Sequence, residues 1–189
     1  KYMRLYGLFA MNQFQTKYER ENFPEGAGKI PDSLGFQAGA QTYIPYRSGY
    51  FSGGIEGLYI NPWLYISDDT GWSFFRTRYD LIKETETPIH TWVGSPYGPD
   101  SIGFACTLGY EYTNKWSVNL LIKHIISGEH SFSLFNQISS KGKYTYYPSS
   151  VEEATQISPT GVPEKTTMVL LSGSYIPLNW IEISLQLGY

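Results

Sequence analysis

The sequence has no run of the ~18 apolar residues that a membrane-crossing helix needs, so spanning helices are excluded. It has a single cysteine, Cys106, which rules out an internal disulfide. Charge is scarce as well: 16% of the residues are charged, where soluble domains carry roughly a quarter. A net charge of -3 and a pI near 5.6 argue against nucleic acid as the main partner. No long segment keeps the 3.6-residue period of an amphipathic helix. What the 189 residues have instead is aromatic rings, 17% of the total, with 17 tyrosines among them. Tyr and Trp combine an apolar ring with a hydrogen-bonding tip, which suits a membrane–water boundary. A mean hydropathy of -0.29 is compatible with that location if only alternate residues meet lipid.

Period-two alternation recurs along the chain. In the last nine residues, Ile181, Ile183, Leu185, Leu187 and Tyr189 alternate with Glu182, Ser184, Gln186 and Gly188. Side chains alternate across a strand, so one face is apolar and the other polar. An aromatic residue closing such a strand is what outer-membrane barrels show at their C-terminus; the alternative is an edge strand of a soluble sandwich, packed on a core. The clearest hairpin runs from Ile102 to Ile126. Ile102, Phe104, Cys106, Leu108, Tyr110 and Tyr112 share a face, Thr113-Asn114-Lys115 turns the chain, and Trp116, Val118, Leu120 and Ile122 resume that face. Arms of about ten residues cross the hydrocarbon layer when tilted. Tyr110, Tyr112 and Trp116 fall where an aromatic girdle would lie, and Cys106 is expected to be buried or lipid-facing. A second pair runs over residues 34–44 and 49–60, with Pro45-Tyr46-Arg47-Ser48 as its turn and Pro62 ending the ladder. Further strands are expected over residues 2–15, 71–81 and 167–176, and weaker ones near 90–93 and 131–138.

The connections are unequal. Residues 17–32 and 80–91 read as polar loops, and 139–165 is the longest, with Pro148, Pro159 and Pro163 among Ser, Thr and Glu. Outer-membrane barrels keep short turns in the periplasm and long loops outside. A terminal strand that ends in the periplasm would reverse this, putting the tight Pro177-Leu178-Asn179 turn outside and the longest loop inside. The two expectations conflict. Lys1 opens almost directly into a strand-like segment, so either a leader has been removed or the chain is the tail of a longer protein, and the second is expected.

Catalytic and metal readings are weak. His124, Ser127 and His130 lie close in sequence, but along a strand His124 and His130 share a face while Ser127 points the other way. Nucleophile and base must be within hydrogen-bond reach, and no acid beyond Glu129 is at hand to orient them. Asp68-Asp69 lack the graded spacing of a calcium loop, and Glu152-Glu153 read as solvated. Arg76 and Arg78 share a face with Trp72 and Phe74. Charge at mid-depth on a lipid face is costly, so these arginines are expected to point inward, beside Glu56 or Glu111, or to lie at a rim.

Gly94-Ser95-Pro96-Tyr97-Gly98-Pro99-Asp100-Ser101 needs only a structural reading: two prolines remove donors, two glycines permit positive φ, and Asp100 can bond nearby amides. The same segment resembles the G-x-P-x-G-P-D element of Wzi-type capsule assembly proteins. Ile30-Pro31-Asp32-Ser33-Leu34-Gly35-Phe36-Gln37-Ala38-Gly39 is similar to a strand of that family. Gly109-Tyr110-Glu111-Tyr112 and Lys123-His124-Ile125-Ile126-Ser127-Gly128 resemble its next hairpin. Asn12-Gln13-Phe14 departs from the acidic residues expected there. The resemblance covers most of the chain and implies the C-terminal part of a large outer-membrane barrel that holds or assembles surface polysaccharide.

The expectation is therefore an all-β antiparallel transmembrane barrel, or the C-terminal strands of a larger one. It has about eight to ten strands in a single domain, 1–189, located in the bacterial outer membrane. Its partners are outer-membrane lipid, surface polysaccharide and other envelope proteins, with no nucleic acid, cofactor or metal. It is expected to be non-enzymatic. The candidate ligand-binding residues are Arg76, Arg78, Trp92, Tyr97, Asp100, Tyr144 and Tyr146. The alternatives are a small pore tuned by Arg76, Arg78, Lys123, Glu56 and Glu111, and a lipid-modifying hydrolase using His124 and Ser127.

Overall fold

The computed structural model describes residues 2–66, 75–82, 85–130, 148–178 and 181–189. The chain is all-β and antiparallel. Seven strands form one sheet in the order β1 (Met3–Gln13), β2 (Ser33–Tyr46), β3 (Gly49–Ile60), β6 (Ser101–Tyr112), β7 (Trp116–Ser127), β8 (Glu164–Leu178), β9 (Ile181–Gly188). Two more strands, β4 (Phe75–Ile82) and β5 (Thr85–Trp92), pair with each other and, among the described residues, with no other strand. The large sheet is open, with β1 and β9 at its edges.

Three corrections follow. Residues 80–91 are not a polar loop but much of the β4–β5 hairpin, where Asp80 faces Thr87 and Tyr79 faces Pro88; the β-branched alternation Thr85, Thr87, Ile89, Thr91 is a strand pattern despite its polarity. Pro45 belongs to β2 opposite Tyr50, and the turn is the two residues Arg47 and Ser48, with Arg47 at φ 53. The segment 17–32 holds a short helix, α1 (Lys17–Asn22), started by a Thr16–Glu19 capping box whose T-x-x-E spacing is visible in the sequence. The weaker strand near 131–138 lies outside the described residues.

The register joins the alternating strands into two continuous faces. One carries Leu5, Phe36, Ile55, Phe104, Ile122, Leu171 and Leu185 with their same-parity neighbours; the other carries Gln37, Glu56, Thr107, Asn119, Ser172 and Gln186. The apolar face is open: Leu5 is 70% exposed and Leu185 65%. Among the described residues, no helix or second sheet lies over it. Soluble monomers rarely leave so large an apolar surface uncovered. The ~ten steps from Trp116 to Ile126, at roughly 3.3 Å each, inclined by about 45°, span a depth close to the ~25 Å apolar band of barrels. Along one edge of this face run Tyr46, Phe51, Tyr110 and Trp116, with ring centroids 5.5, 4.6 and 5.2 Å apart in succession, and Tyr112 stacks on Trp116 at 6.3 Å.

The tight turns between β2 and β3, β6 and β7, and β8 and β9 share that aromatic edge. The strand ends that lead into the long connections 14–32, 61–100 and 128–163 share the opposite edge. The buried side chains gather there. Among the described residues, Ile60, Trp63, Leu64, Ile66, Ile125 and Ala154 are the buried hydrophobic side chains, joined by Ser33, Asn61, Asp100, Ser101, His130, Ser158 and Thr160. Among the described residues, the buried side chains thus form a cap of connections and strand ends at one end of the sheet, not a layer beneath it.

Candidate functional site

The cap is held by Asp100, which is completely buried. It ends the Gly94–Asp100 segment, where Gly94, Gly98 and Asp100 all take positive φ (114, 71 and 55°). Both glycines meet aromatic rings closely: an added side-chain carbon would strike Tyr65 at Gly94 and Trp92 at Gly98. The Asp100 carboxylate accepts hydrogen bonds from the Thr160 amide (3.0 Å), the His130 amide (3.1 Å) and the Thr160 hydroxyl. Its carbonyl accepts from Gly128 at 2.7 Å, and its amide donates to Asn61 at 3.3 Å. The expected local pinning is therefore done across segments thirty and sixty residues away. Around this knot, Trp63 stands edge-on to His130 at 4.7 Å and donates its indole N–H to Glu153, while Ser158 donates to Ile60 (2.6 Å) and Ser33 to Trp63 (3.1 Å). Arg20 braces the first loop on itself through Asp32 at 2.5 Å, and the Asp32 amide donates to the Ala154 carbonyl at 3.3 Å.

Burial pushes Asp100 up, but the hydrogen bonds from His130 and Thr160 outweigh it and hold the carboxyl at about 2, below its ordinary 3.8. A depressed folded-state pKa stabilises above the unfolded value, and that stability disappears as pH falls through the folded one. The cap should keep its full contribution above about pH 4 and lose it toward pH 2. Denaturant midpoints measured across this range should fall in the wild type and flatten in Asp100→Ala; equal slopes in both would assign the effect to another carboxylate.

This knot corrects the ligand-binding role expected of Asp100, since every oxygen is occupied and out of reach of a ligand. It also contains an Asp, His and Thr in contact, with His130 Nδ1 3.0 Å from Thr160 Oγ1 and 3.5 Å from Asp100 Oδ2. Both partners meet the same ring nitrogen and all three residues are buried, so this is not a base positioned to activate an accessible nucleophile. His124 lies apart on β7, bonded to Thr167 at 2.8 Å, and β7 ends at Ser127, so His130 shares no strand face with it. Glu129 accepts from Val162 at 3.0 Å. Among the described residues no cluster of side chains fits a metal ion.

Below the cap, the polar face of the sheet holds a trench. Its widest part, about 490 Å³, lies between Leu8, Gln37, Glu56 and Leu58 on the strands and Tyr65 and Tyr97 from the cap. From Glu56 it continues past Ala105 and Lys123 to Thr107. The floor is kept low by small residues: a side chain at Gly39 would collide with Tyr6, whose hydroxyl donates across it to Glu56 at 2.5 Å. Glu111 is bound likewise by Tyr50. Glu56 and Glu111 thus each have a tyrosine partner. Lys123 sits 5.2 Å over the Tyr97 ring.

Of the sequence candidates, Tyr97 lines the trench, and the Trp92 ring lies 6.0 Å from that of Tyr65. Arg76 and Arg78 lie on β4, of which the backbone alone is described, and Tyr144 and Tyr146 lie outside the described residues, as do Trp72, Phe74, Asp68 and Asp69. Tyr65 and Gln37 were not anticipated. Tyr65 follows an Asn-Pro-Trp turn that reads only as punctuation, and Gln37 is one polar residue among several on β2. No protein-family model, curated protein or solved structure matches this chain.

Proposed function

We propose that the chain forms wall of an outer-membrane β-barrel, with lipid against its apolar face, and that it acts without catalysis in holding or assembling surface polysaccharide. The observation that carries this reading is the inversion of the fold. Large apolar side chains stay exposed across seven strands, while the buried ones among the described residues gather in the connections and strand ends at one edge. Water penalises that arrangement, at roughly 25 cal/mol per Å² of apolar surface, and an acyl-chain environment does not. The aromatic row along the tight-turn edge matches the girdle at a membrane boundary.

Three tight turns on one edge and three long connections on the other support an orientation with the turns toward the periplasm and the cap outside, in which β9 starts at the periplasmic edge instead of ending there. The packed cap favours a surface that holds a ligand over an open passage, and it stands where a cell-surface polymer would be met. The resemblance to Wzi-type proteins points the same way.

Cysteine labelling tests the membrane half. In a Cys106→Ser background, Ile55→Cys and Leu171→Cys should resist a water-soluble maleimide in intact outer membranes, while Gln41→Cys and Asn119→Cys react. Equal reaction at all four positions would mean that the apolar face is wet. Retention of isolated surface glycan by the detergent-solubilised protein tests the other half, and its absence would leave a barrel without a polysaccharide role.

A further inference from the structure

Resting on the polysaccharide reading, we propose that the trench around Glu56, Lys123 and Tyr97 is a binding subsite for a sugar unit that carries a carboxylate. The register sets Gly39, Glu56, Ala105 and Lys123 side by side across four strands of the polar face. Two strand spacings of about 4.8 Å separate Glu56 from Lys123, with only Ala105 between them, so the two charged side chains flank a low floor. Lys123 forms no ion pair among the described residues and is half-buried. An ammonium partly withdrawn from water, over the Tyr97 ring and without an ion-pair partner among the described residues, draws an anionic group.

Glu56 sets the direction. Tyr6 engages its carboxylate, which retains capacity to accept hydroxyl donors and repels a second carboxylate. The ligand's acid therefore lies toward Lys123 and its hydroxyls toward Glu56 and Gln37. Tyr65 and Tyr97 supply flat apolar walls for the ring carbons. A simple inorganic anion would use Lys123 but neither the walls nor the acceptors. An acidic sugar uses all three.

The test is equilibrium binding of a short oligogalacturonate to the full protein in detergent, with a maltodextrin as the neutral control. The wild type should bind the acidic oligomer in preference. Lys123→Gln should weaken it by about tenfold or more, as expected for loss of one charge-assisted contact. Lys123→Arg should restore most of the affinity, which separates loss of charge from loss of fold. Tyr97→Ala should weaken both oligomers. Isolated surface glycan bound with unchanged affinity by Lys123→Gln and Tyr97→Ala would overturn the subsite and leave the polysaccharide reading intact. No binding of isolated glycan, oligogalacturonate or maltodextrin by the wild type would overturn both.

Discussion

Leu171→Arg should cost about 2–4 kcal/mol when the protein is unfolded from lipid vesicles or micelles, the penalty for a cation near the bilayer midplane. Leu171 is the central residue of β8, between Leu120 and Leu187 on the apolar face. Its neighbour Ser172 faces Asn119 and Gln186 on the other side. Ser172→Arg should therefore change stability by well under a third of that amount, since a charge there can stay hydrated. The contrast is diagnostic because Leu171 is already 45% exposed in the isolated sheet. In water, an arginine at such a position would be close to neutral. A denaturant titration in lipid that finds Leu171→Arg as stable as Ser172→Arg would remove the membrane from the account of this fold.

The second large effect is expected in the cap. Asp100→Ala should lower the free energy of cap opening by about 3–5 kcal/mol, because the amides of His130 and Thr160 and the Thr160 hydroxyl all lose a charged acceptor while remaining buried. Gly128→Ala should act through the same point, since a methyl group there would overlap the Asp100 carboxylate and the Thr160 amide. Native-state hydrogen exchange reads both directly. Protection of the His130 and Thr160 amides should collapse, while amides in the β6–β7 ladder, such as Leu108 and Leu120, keep theirs. Undiminished protection at His130 and Thr160 in Asp100→Ala would show that the loops are held by something other than this carboxylate. If the cap shapes the trench from above, the same variants should also loosen Tyr97, which is three residues from Asp100.

Local pattern carried a large part of this structure. The odd-numbered apolar residues of β9, the two arms around Thr113-Asn114-Lys115 and the aromatic cluster at Tyr110, Tyr112 and Trp116 are all properties of residues within a few positions of each other. Alternation is a two-residue period, so a strand and its two faces are readable wherever it persists. The β4–β5 hairpin was misread where polarity and Pro88 outweighed β-branched alternation. The α1 helix was missed because its capping box starts only six helical residues, too short for a periodic signal. The trench was legible only in fragments. Tyr97 stood out among glycines and prolines, Glu56 and Lys123 were grouped only as charges that could tune a pore, and nothing linked them to Tyr97.

The sequence by itself determined that this chain makes strands with one apolar side, and that it has aromatic residues to place at a boundary, because side-chain alternation and residue chemistry are local. Tertiary structure decided which apolar sides join into one face, that the buried side chains gather at the end of the sheet that holds the long connections, and that Asp100 is bonded to His130 and Thr160. It also decided that Tyr6 reaches Glu56 across Gly39. Each of these depends on hydrogen-bond register and packing between segments thirty to sixty residues apart, and a pattern with a period of two contains no information about which distant strand or loop will be its neighbour.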